Sequence, residues 1–314
     1  MKKNKTINVA YYSEWDDIRP WKEKLKLKNI NLLQWPNEVI KPDEIELALV
    51  WDAPKNFWKS LKNLKLVHSL GAGVDHINYD ILDKNIKISR LVDPDLSAQM
   101  AEYAIMSVLI CQRNLFNYFK QNKLKIWKQL GSPSKKDFPI TILGYGKIGH
   151  FINKQLNALG FNTRVWTRTK HKNNNKNFYF GNKQLLKCIK GTKCLISLLP
   201  LTKETRNLIA LNEFKALGND SYFVNIGRGK TIKEKDLIYA LKNNIIKGAI
   251  VDVFEKEPLK QNHPYWSMEN IIITPHIAAA TRVTDYAVED FAKNISLLYQ
   301  GKKLNNLISR QKGY

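Results

Sequence analysis

Short apolar runs alternate with helix-type patterns along the N-terminal part of the chain. Four such runs, at residues 7–12, 30–35, 47–51 and 64–69, predict buried strands. Residues 15–27, between the first two runs, predict a helix with Pro20 near its first turn. This alternation is typical of a parallel sheet whose strands are joined by crossover helices.

The same alternation returns in the second half. Residues 140–143, 163–167, 194–199, 222–225, 249–254 and 271–274 predict strands, and residues 286–299 predict an amphipathic helix closed by Gly301. A chain of 314 residues is long enough for two domains with separate cores. The expected class is α/β, with two doubly wound parallel-sheet domains, Rossmann-like or flavodoxin-like, and a cleft between them.

Residues 96–127, between these halves, carry a mainly helical pattern. A helix of this length can bridge two domains or form a dimer contact. A polar segment at residues 131–136 then predicts a break before the next strand. The apolar face of the helix recurs at spacings of three and four residues and consists of Met100, Ala104, Val108, Cys111, Leu115 and Phe119.

A glycine-rich loop follows the predicted strand 140–143 and precedes a helical pattern that Gly160 closes. Gly144 allows a tight turn, Gly146 lets the backbone approach a pyrophosphate, and Gly149 lets the helix pack near the strand. The N–H groups of the helix N-terminus, at Lys147 and Ile148, are then available to phosphates. The alternative is a loop that merely turns the chain.

The end of the next strand distinguishes between two cofactors. A site for NAD usually carries an acidic residue about 20 residues beyond the glycines, bonded to the ribose 2′-OH. Here Thr167, Arg168, Thr169 and Lys170 stand in that place, without a carboxylate. A guanidinium can bind a 2′-phosphate in a bidentate manner, so we expect NADPH rather than NADH, with NADH as the alternative cofactor.

The chain is strongly basic, with a formal net charge of +23. Its lysines are scattered, with no dense basic block and no nucleic-acid motif, so we expect no nucleic-acid partner. No stretch approaches the ~18 apolar residues of a membrane span, and no signal-peptide pattern is present, so we expect no membrane partner. Cys111, Cys188 and Cys194 lack a metal-ligand spacing, which indicates no metal site and buried thiols in a reducing cytoplasm.

Three polar residues follow consecutive predicted strands near the C-terminal end. Arg228, Glu257 and His276 would lie at one edge of a parallel sheet, beside the nicotinamide end of a dinucleotide. Singly, each residue has a plainer interpretation as a surface charge, a helix-start carboxylate or a loop histidine. Earlier in the chain, Ala72 and Gly73 follow a strand and could offer backbone N–H groups to a carboxylate, or form an ordinary turn.

The motifs of the chain resemble those of the D-2-hydroxyacid dehydrogenase family, most closely its bacterial glyoxylate/hydroxypyruvate reductase A group. The resemblance spans nearly the whole length. The matching stretches are LVWDAP, LGAGVDHI, AQMAEYA, GYGKIG, WTRTK, SLLPLT, VNIGRG, GAIVDVFEKEPL, TPHIAAATR and the terminal KGY. GYGKIG and WDAP depart from the family pattern at positions that tolerate variation.

The resemblance implies NADPH-dependent reduction of glyoxylate to glycolate and of hydroxypyruvate to D-glycerate. His276 would be the general acid, Glu257 would orient the imidazole and favour its protonated form, and Arg228 would bind the substrate and polarise its ketone. Ala72 and Gly73 would bind the substrate carboxylate, and Trp51 would wall a small pocket. Other implied cofactor contacts, beyond the glycine loop and residues 167–170, are Met100, Leu199, Pro200, Thr205, Ile226, Gly227 and Asp252.

The resemblance also implies how the chain is organised. Residues 1–100 with 283–314 would form the substrate domain, and residues 101–282 the inserted dinucleotide domain. The helix near residues 100–127 would be the contact of a homodimer. Two alternatives remain open from the sequence: a non-enzymatic, corepressor-like NAD(P) sensor, which occurs on this fold, and a reductase for a larger 2-oxo acid.

Overall fold

The computed structural model describes residues 6–170, 176–280 and 283–310. They divide into two compact units, one of Met1–Pro94 with Thr281–Tyr314 and the other of Asp95–Ala280. Each unit is built on its own parallel sheet, which confirms the predicted α/β class with two doubly wound sheets. The KGY end, and Thr281 and Arg282 of the TPHIAAATR motif, lie outside the described residues.

Most consecutive strands are separated by a helix, as the hydrophobic pattern indicates. In chain order they are β1 (Ile7–Tyr12), α1 (Ile18–Lys26), β2 (Ile30–Gln34), β3 (Leu47–Val50), α2 (Lys55–Ser60), β4 (Leu66–Ser69), β5 (Lys87–Arg90), α3 (Pro94–Gln112), α4 (Leu115–Lys123), β6 (Ile140–Leu143), α5 (Lys147–Ala158), β7 (Thr163–Thr167), β8 (Phe178–Phe180), α6 (Asn182–Ile189), β9 (Cys194–Ser197), α7 (Leu211–Leu217), β10 (Tyr222–Asn225), α8 (Glu234–Lys242), β11 (Gly248–Val251), β12 (Ile271–Ile273) and α9 (Asp285–Tyr299).

The first unit holds a five-stranded parallel sheet in the order β2-β1-β3-β4-β5, the flavodoxin-like arrangement. The C-terminal segment belongs to this unit because it packs on the same sheet. Phe291 of α9 is fully buried against the His68 ring, with ring centroids 5.1 Å apart. Beyond α9, the N–H of Ile308 donates to the Ile88 carbonyl at 2.9 Å, beside β5.

The first unit contains a buried histidine, and we therefore expect the stability of this unit to depend on pH. His68 is fully buried on β4 and shares a hydrogen bond with the Ser89 hydroxyl. Burial lowers its pKa from 6.5 to about 3. Between these two pH values the histidine is protonated in the unfolded chain and neutral in the folded chain. Stability is therefore lost as the pH falls from 6.5 towards 3, by about 2 kcal/mol at pH 5 from this group alone.

The test compares chemical unfolding of the wild type and His68→Asn between pH 7 and pH 5. The variant should lose about 2 kcal/mol less over this interval. His150→Gln, at an exposed histidine, is the control and should follow the wild type. Equal pH slopes for the wild type and His68→Asn would contradict the assignment.

The second unit holds a seven-stranded parallel sheet in the order β12-β11-β10-β9-β6-β7-β8, the Rossmann arrangement. The chain runs outward from β6 to β8, then returns to β9 on the other side of β6. The carboxyl ends of β6 and β9 thus flank the point where the strand order reverses, which is where ligands bind in open α/β sheets. The three strands β10, β11 and β12 continue the sheet from β9.

Residues 96–127 are mainly helical, as predicted, but they form two helices, α3 and α4, and residues 124–127 lie beyond the second. Asn114 has a φ of 60°, and this left-handed residue separates α3 from α4. Asn tolerates that conformation, and its side-chain amide donates to the Gly131 carbonyl at 2.6 Å, which fixes the break. On the apolar face, Met100 is partly buried and Ala104, Val108 and Cys111 are buried, but Phe119 beyond the break is 49% exposed.

Several predicted strands extended too far, because apolar residues continue into buried loops. The predicted run 249–254 gives only Gly248–Val251, and Val253 and Phe254 are buried without being part of the strand. The run 194–199 gives Cys194–Ser197. The helices α2, α7 and α8 and the strands β5 and β8 were not predicted from the sequence, whereas Thr163–Thr167 and Tyr222–Asn225 lie where they were expected. Burial of the three free cysteines is confirmed.

Candidate active site

A histidine and a carboxylate meet beyond the ends of β11 and β12. Nδ1 of His276 lies 2.7 Å from Oε2 of Glu257, and the other carboxylate oxygen accepts the N–H of Phe254 at 2.9 Å. The side chains are 26% and 21% exposed, so the pair is sheltered without being sealed. Because the carboxylate is held at both oxygens, it fixes the orientation of the imidazole.

The electrostatics of Glu257 favour its ionised form. Burial opposes ionisation, but the hydrogen bond and charge of His276, the Phe254 N–H and the charge of Arg228 outweigh it. The pKa of Glu257 therefore lies below its ordinary value. A carboxylate at neutral pH is the partner that a protonated imidazole requires.

The backbone at His276 is held in an uncommon conformation. Its φ is 56°, in the left-handed region that non-glycine residues seldom adopt. The N–H of His276 donates to the Asp252 carbonyl at 2.9 Å. The buried carboxylate of Asp252 accepts the N–H groups of Ile277 and Ala278, both at 2.8 Å. Three hydrogen bonds to Asp252 thus hold the loop at His276 in its strained conformation, as is common at functional sites.

A chain of hydroxyl groups links Asp252 to α3. The hydroxyl of Thr274 donates to Asp252 at 2.6 Å, so the Tyr103 hydroxyl, 2.6 Å from Thr274 Oγ1, must donate to Thr274. Neither Thr274 nor Tyr103 was predicted from the sequence as a site residue. The position of Thr274 at the end of β12 could have indicated it, whereas Tyr103 is remote in sequence. Contact of Asp252 with a nicotinamide amide stays a prediction.

Arg228 follows β10 and lies between two glycines that are packed against neighbouring loops. A Cβ at Gly227 would lie 2.8 Å from the backbone N and O of Leu199, and one at Gly229 would lie 1.9 Å from the Phe254 carbonyl carbon. Only glycine fits at either position. The guanidinium donates to the Gly227 carbonyl at 2.8 Å. The structure thus brings Arg228, Glu257 and His276 to the same edge of the sheet.

The glycine loop has the shape of a phosphate cradle. Gly144 has a φ of 102°, and a Cβ at Gly149 would lie 2.1 Å from the Gly144 carbonyl oxygen, so loop and helix touch. A Cβ at Gly146 would meet nothing within 4 Å, which leaves space for a ligand against the backbone. Gly146 precedes α5, whose first turn contains Lys147 and Ile148 and has no side-chain cap.

The segment after β7 places one cation beside this cradle. The Arg168 guanidinium donates to Glu204 at 2.9 Å and to the Thr202 hydroxyl at 3.2 Å. Thr169 and Lys170 are exposed, and the Thr167 hydroxyl donates to the Thr169 carbonyl at 2.8 Å. Glu204 was not predicted from the sequence, because it lies in the loop after β9 and not at the end of β7.

The other predicted cofactor contacts lie around the carboxyl ends of β9 and β10. The hydroxyl of Thr205 donates to the Pro200 carbonyl at 2.6 Å, and this hydrogen bond stabilises the turn between the two residues. Leu199 and Ile226 are buried, and Met100 packs against the adjoining core. These residues shape the edge of the sheet, and their contacts with a cofactor stay predictions.

The predicted substrate contacts of the first unit form a local cluster of their own. The Trp51 ring lies against His76 with centroids 4.4 Å apart and ring planes tilted by 41°, and a Cβ at Gly71 would lie 2.6 Å from the indole. The carbonyls of Ala72 and Gly73 accept hydrogen bonds from Arg90 and Ser69. These bonds fix the conformation of the loop that carries the two backbone N–H groups.

The second unit therefore joins a histidine–carboxylate pair, a guanidinium and a tightly packed glycine loop on one sheet. Residues 105–278 match the family described as D-isomer specific 2-hydroxyacid dehydrogenase, NAD binding domain. The chain belongs to this family. The dehydrogenase is thus an oxidoreductase that uses a nicotinamide cofactor.

Relatives and solved structures agree over the full length of the dehydrogenase. It is 34% identical to glyoxylate/hydroxypyruvate reductase A of Photorhabdus laumondii, with 98% of this chain and 100% of the relative covered. A D-isomer specific 2-hydroxyacid dehydrogenase from Xanthobacter autotrophicus, in complex with NADPH and MES, is 30% identical, covers 98% of this chain and 100% of its own, and has a TM-score of 0.90.

A further solved structure is the NADPH-dependent glyoxylate/hydroxypyruvate reductase of Sinorhizobium meliloti in complex with NADP and sulfate. It is 27% identical to the dehydrogenase, covers 98% of this chain and 100% of its own, and has a TM-score of 0.89. Across the described ranges, no helix is long and apolar enough to cross a membrane.

Proposed function

We propose that the dehydrogenase reduces small 2-oxo acids with NADPH, converting glyoxylate to glycolate and hydroxypyruvate to D-glycerate. The observation that carries this proposal is the His276–Glu257 pair at 2.7 Å, at the same sheet edge as Arg228. The names of the relatives and the NADP-bound neighbours support the substrate class and the cofactor.

His276 is the general acid in this proposal. Its Nδ1–H donates to Glu257, so Nε2 is the ring nitrogen from which a proton reaches the substrate oxygen. Glu257 keeps the ring in one orientation and stabilises the imidazolium. A bound nicotinamide cofactor would supply a hydride from C4 to the carbonyl carbon of the 2-oxo acid. Together, one hydride and one proton would turn that carbonyl group into an alcohol.

Arg228 binds the substrate carboxylate and polarises the carbonyl group. A guanidinium suits this task because its fork of N–H donors matches a planar carboxylate and stays charged at all working pH values. The N–H groups of Ala72 and Gly73 are assigned to the carboxylate, and Trp51 to the wall of a small substrate pocket. The fixed loop and the indole packed against His76 support these assignments.

The residues of the second unit fit a dinucleotide with a 2′-phosphate. Gly146 leaves open space beside the uncapped first turn of α5, where Lys147 and Ile148 would meet the pyrophosphate. Arg168 would meet the 2′-phosphate, because residues 167–170 contain no carboxylate that would favour a free ribose hydroxyl.

The direct test follows NADPH oxidation with glyoxylate, with hydroxypyruvate and with a series of larger 2-oxo acids, each repeated with NADH. The proposal predicts turnover with the two small acids and a preference for NADPH. Turnover confined to larger acids would replace the substrate assignment. Tight NADPH binding without turnover of any 2-oxo acid would contradict the proposed reaction.

Arg168→Asp should weaken the binding of NADPH selectively. The variant loses a charge-assisted interaction with the 2′-phosphate and places a carboxylate there, so we expect about 10- to 100-fold weaker NADPH binding and less than about twofold change for NADH. Titration by protein fluorescence measures both constants. Arg113→Asp, at an exposed arginine beyond α3, makes the same change in net charge. Equal losses for both cofactors would contradict the assignment.

We also propose that the chain forms a homodimer in the cytoplasm. Large apolar side chains are exposed on α3, on α4 and beyond them, and burying them would remove apolar surface from water. The three buried free thiols fit a reducing compartment. Sedimentation over a range of protein concentrations should give a dimer, and a monomer at every concentration would contradict it. The exposed residues are Met106, Leu109, Phe119, Leu124, Ile126 and Trp127.

A further inference from the structure

The guanidinium assigned to the 2′-phosphate already has an anionic partner within the protein. Nη1 of Arg168 lies 2.9 Å from Oε2 of Glu204. Arg168 follows β7 and Glu204 lies in the loop after β9, so the pair spans the carboxyl end of β6, from which the glycine loop departs. An internal carboxylate therefore lies where Arg168 would receive an anion from the cofactor.

The loop that carries Glu204 is held by its own hydrogen bonds. The N–H of Thr202 donates to Thr205 Oγ1 at 2.8 Å, and the Thr205 hydroxyl donates to the Pro200 carbonyl at 2.6 Å. The Arg168 guanidinium also donates to the Thr202 hydroxyl oxygen at 3.2 Å. Arg168 thus contacts this turn at two points.

Glu204 is ionised at neutral pH. The Thr202 hydroxyl, its own backbone N–H and the charge of Arg168 all lower the pKa of its carboxyl below the ordinary value. The Glu204 side chain is 60% exposed, whereas that of Arg168 is 23% exposed. The Arg168 guanidinium is the less hydrated member of the pair, so it gains more from an anionic partner. Glu204 already accepts from its Nη1, and a second anion at that position would compete with Glu204 for the same N–H donors.

We propose that Glu204 competes with the 2′-phosphate for Arg168 and thereby limits the preference of the enzyme for NADPH over NADH. This inference rests on the proposed cofactor site. The 2′-phosphate carries about −1.5 to −2 charges and must either displace the carboxylate or lie beside it. NADH has a neutral hydroxyl at that position and leaves the Arg168–Glu204 pair intact.

The opposite role for Glu204 would be to hold Arg168 ready for the cofactor. The two roles differ in the sign of the effect when the carboxylate is neutralised. If Glu204 competes, its loss strengthens NADPH binding. If it positions Arg168, its loss weakens NADPH binding, because the guanidinium becomes less ordered.

The experiment measures dissociation constants of NADPH and NADH for the full chain by isothermal titration calorimetry, without substrate. Glu204→Gln keeps the size of the side chain and removes its charge. Asp220→Asn is the matched control, since Asp220 forms an exposed ion pair with Lys193 at 2.8 Å, at the opposite edge of the same sheet. Both variants change the net charge equally. Arg168→Ala, alone and with Glu204→Gln, completes a double-mutant cycle.

Glu204→Gln should bind NADPH about three- to tenfold more tightly, with NADH changed by less than about twofold. The gain should disappear in the Arg168→Ala background and be absent in Asp220→Asn. An unchanged or weaker NADPH affinity of Glu204→Gln, or an equal gain for both cofactors, would overturn the inference. A wild type that binds neither cofactor would instead refute the proposed function, and the inference with it.

Discussion

His276→Ala should lower kcat for glyoxylate reduction by about 10²- to 10⁴-fold, while the dissociation constant of NADPH changes by less than about twofold. The expected loss follows from the removal of the proton donor, without which the developing alkoxide must take its proton from water. The imidazole bonds Glu257 through Nδ1, and the glycine loop lies at other strands, so the cofactor site should survive. Steady-state kinetics and cofactor titration measure the two quantities.

His263 provides a matched control for this variant. It is also a sheltered histidine of the second unit, and its Nε2 lies 3.1 Å from Glu234. His263→Gln removes an imidazole paired with a carboxylate at a site to which we assign no chemistry, so kcat should stay within about threefold of the wild type. Similar kcat losses in both variants, or none in His276→Ala, would remove His276 from the role of general acid.

Gly229→Ala should destabilise the second unit by about 3 kcal/mol or more and lower its unfolding temperature by roughly 10 °C. The added Cβ would lie 1.9 Å from the Phe254 carbonyl carbon and 2.5 Å from the Glu255 nitrogen, so the backbone must move. The Phe254 N–H also holds Glu257, so the His276–Glu257 pair should be disturbed as well. Differential scanning calorimetry measures the shift in unfolding temperature.

Gly131→Ala is the control for this second substitution. A Cβ at Gly131 would meet nothing within 4 Å, so the unfolding temperature should stay within about 2 °C of the wild type. If Gly229→Ala unfolded at the wild-type temperature, the close packing of the loops after β10 and β11 would be refuted. If Gly229→Ala were as stable as the wild type but had a lower kcat, the role of Gly229 would be limited to positioning the neighbouring Arg228.

Most of the strands could be predicted from the sequence because strands buried on both faces are continuous apolar runs between glycine-rich turns. This signal placed Thr163–Thr167 and Tyr222–Asn225 correctly. It did not mark where a strand ends, since Val253 and Phe254 stay buried in the loop that carries Glu257. The break at Asn114 was missed because it depends on a contact with Gly131.

The candidate site was predictable where its residues follow strands and was missed where distant segments meet. His276, Glu257 and Arg228 each lie in the loop that follows a strand, and parallel topology brings such loops together. Tyr103 reaches Asp252 only through Thr274, which lies 171 residues further along the chain. Glu204 pairs with Arg168 across the end of β6, a neighbourhood that depends on the sheet order.

Isotope transfer tests the central claim most directly. NADPH deuterated at the reactive C4 position is incubated with the enzyme and glyoxylate or hydroxypyruvate, and the product is analysed by nuclear magnetic resonance. We expect a 2-hydroxy acid with deuterium bonded to carbon 2, and its formation should fall in His276→Ala as kcat does. A hydroxy acid without deuterium at that carbon, or no reduced product from either acid, would contradict hydride transfer by this site.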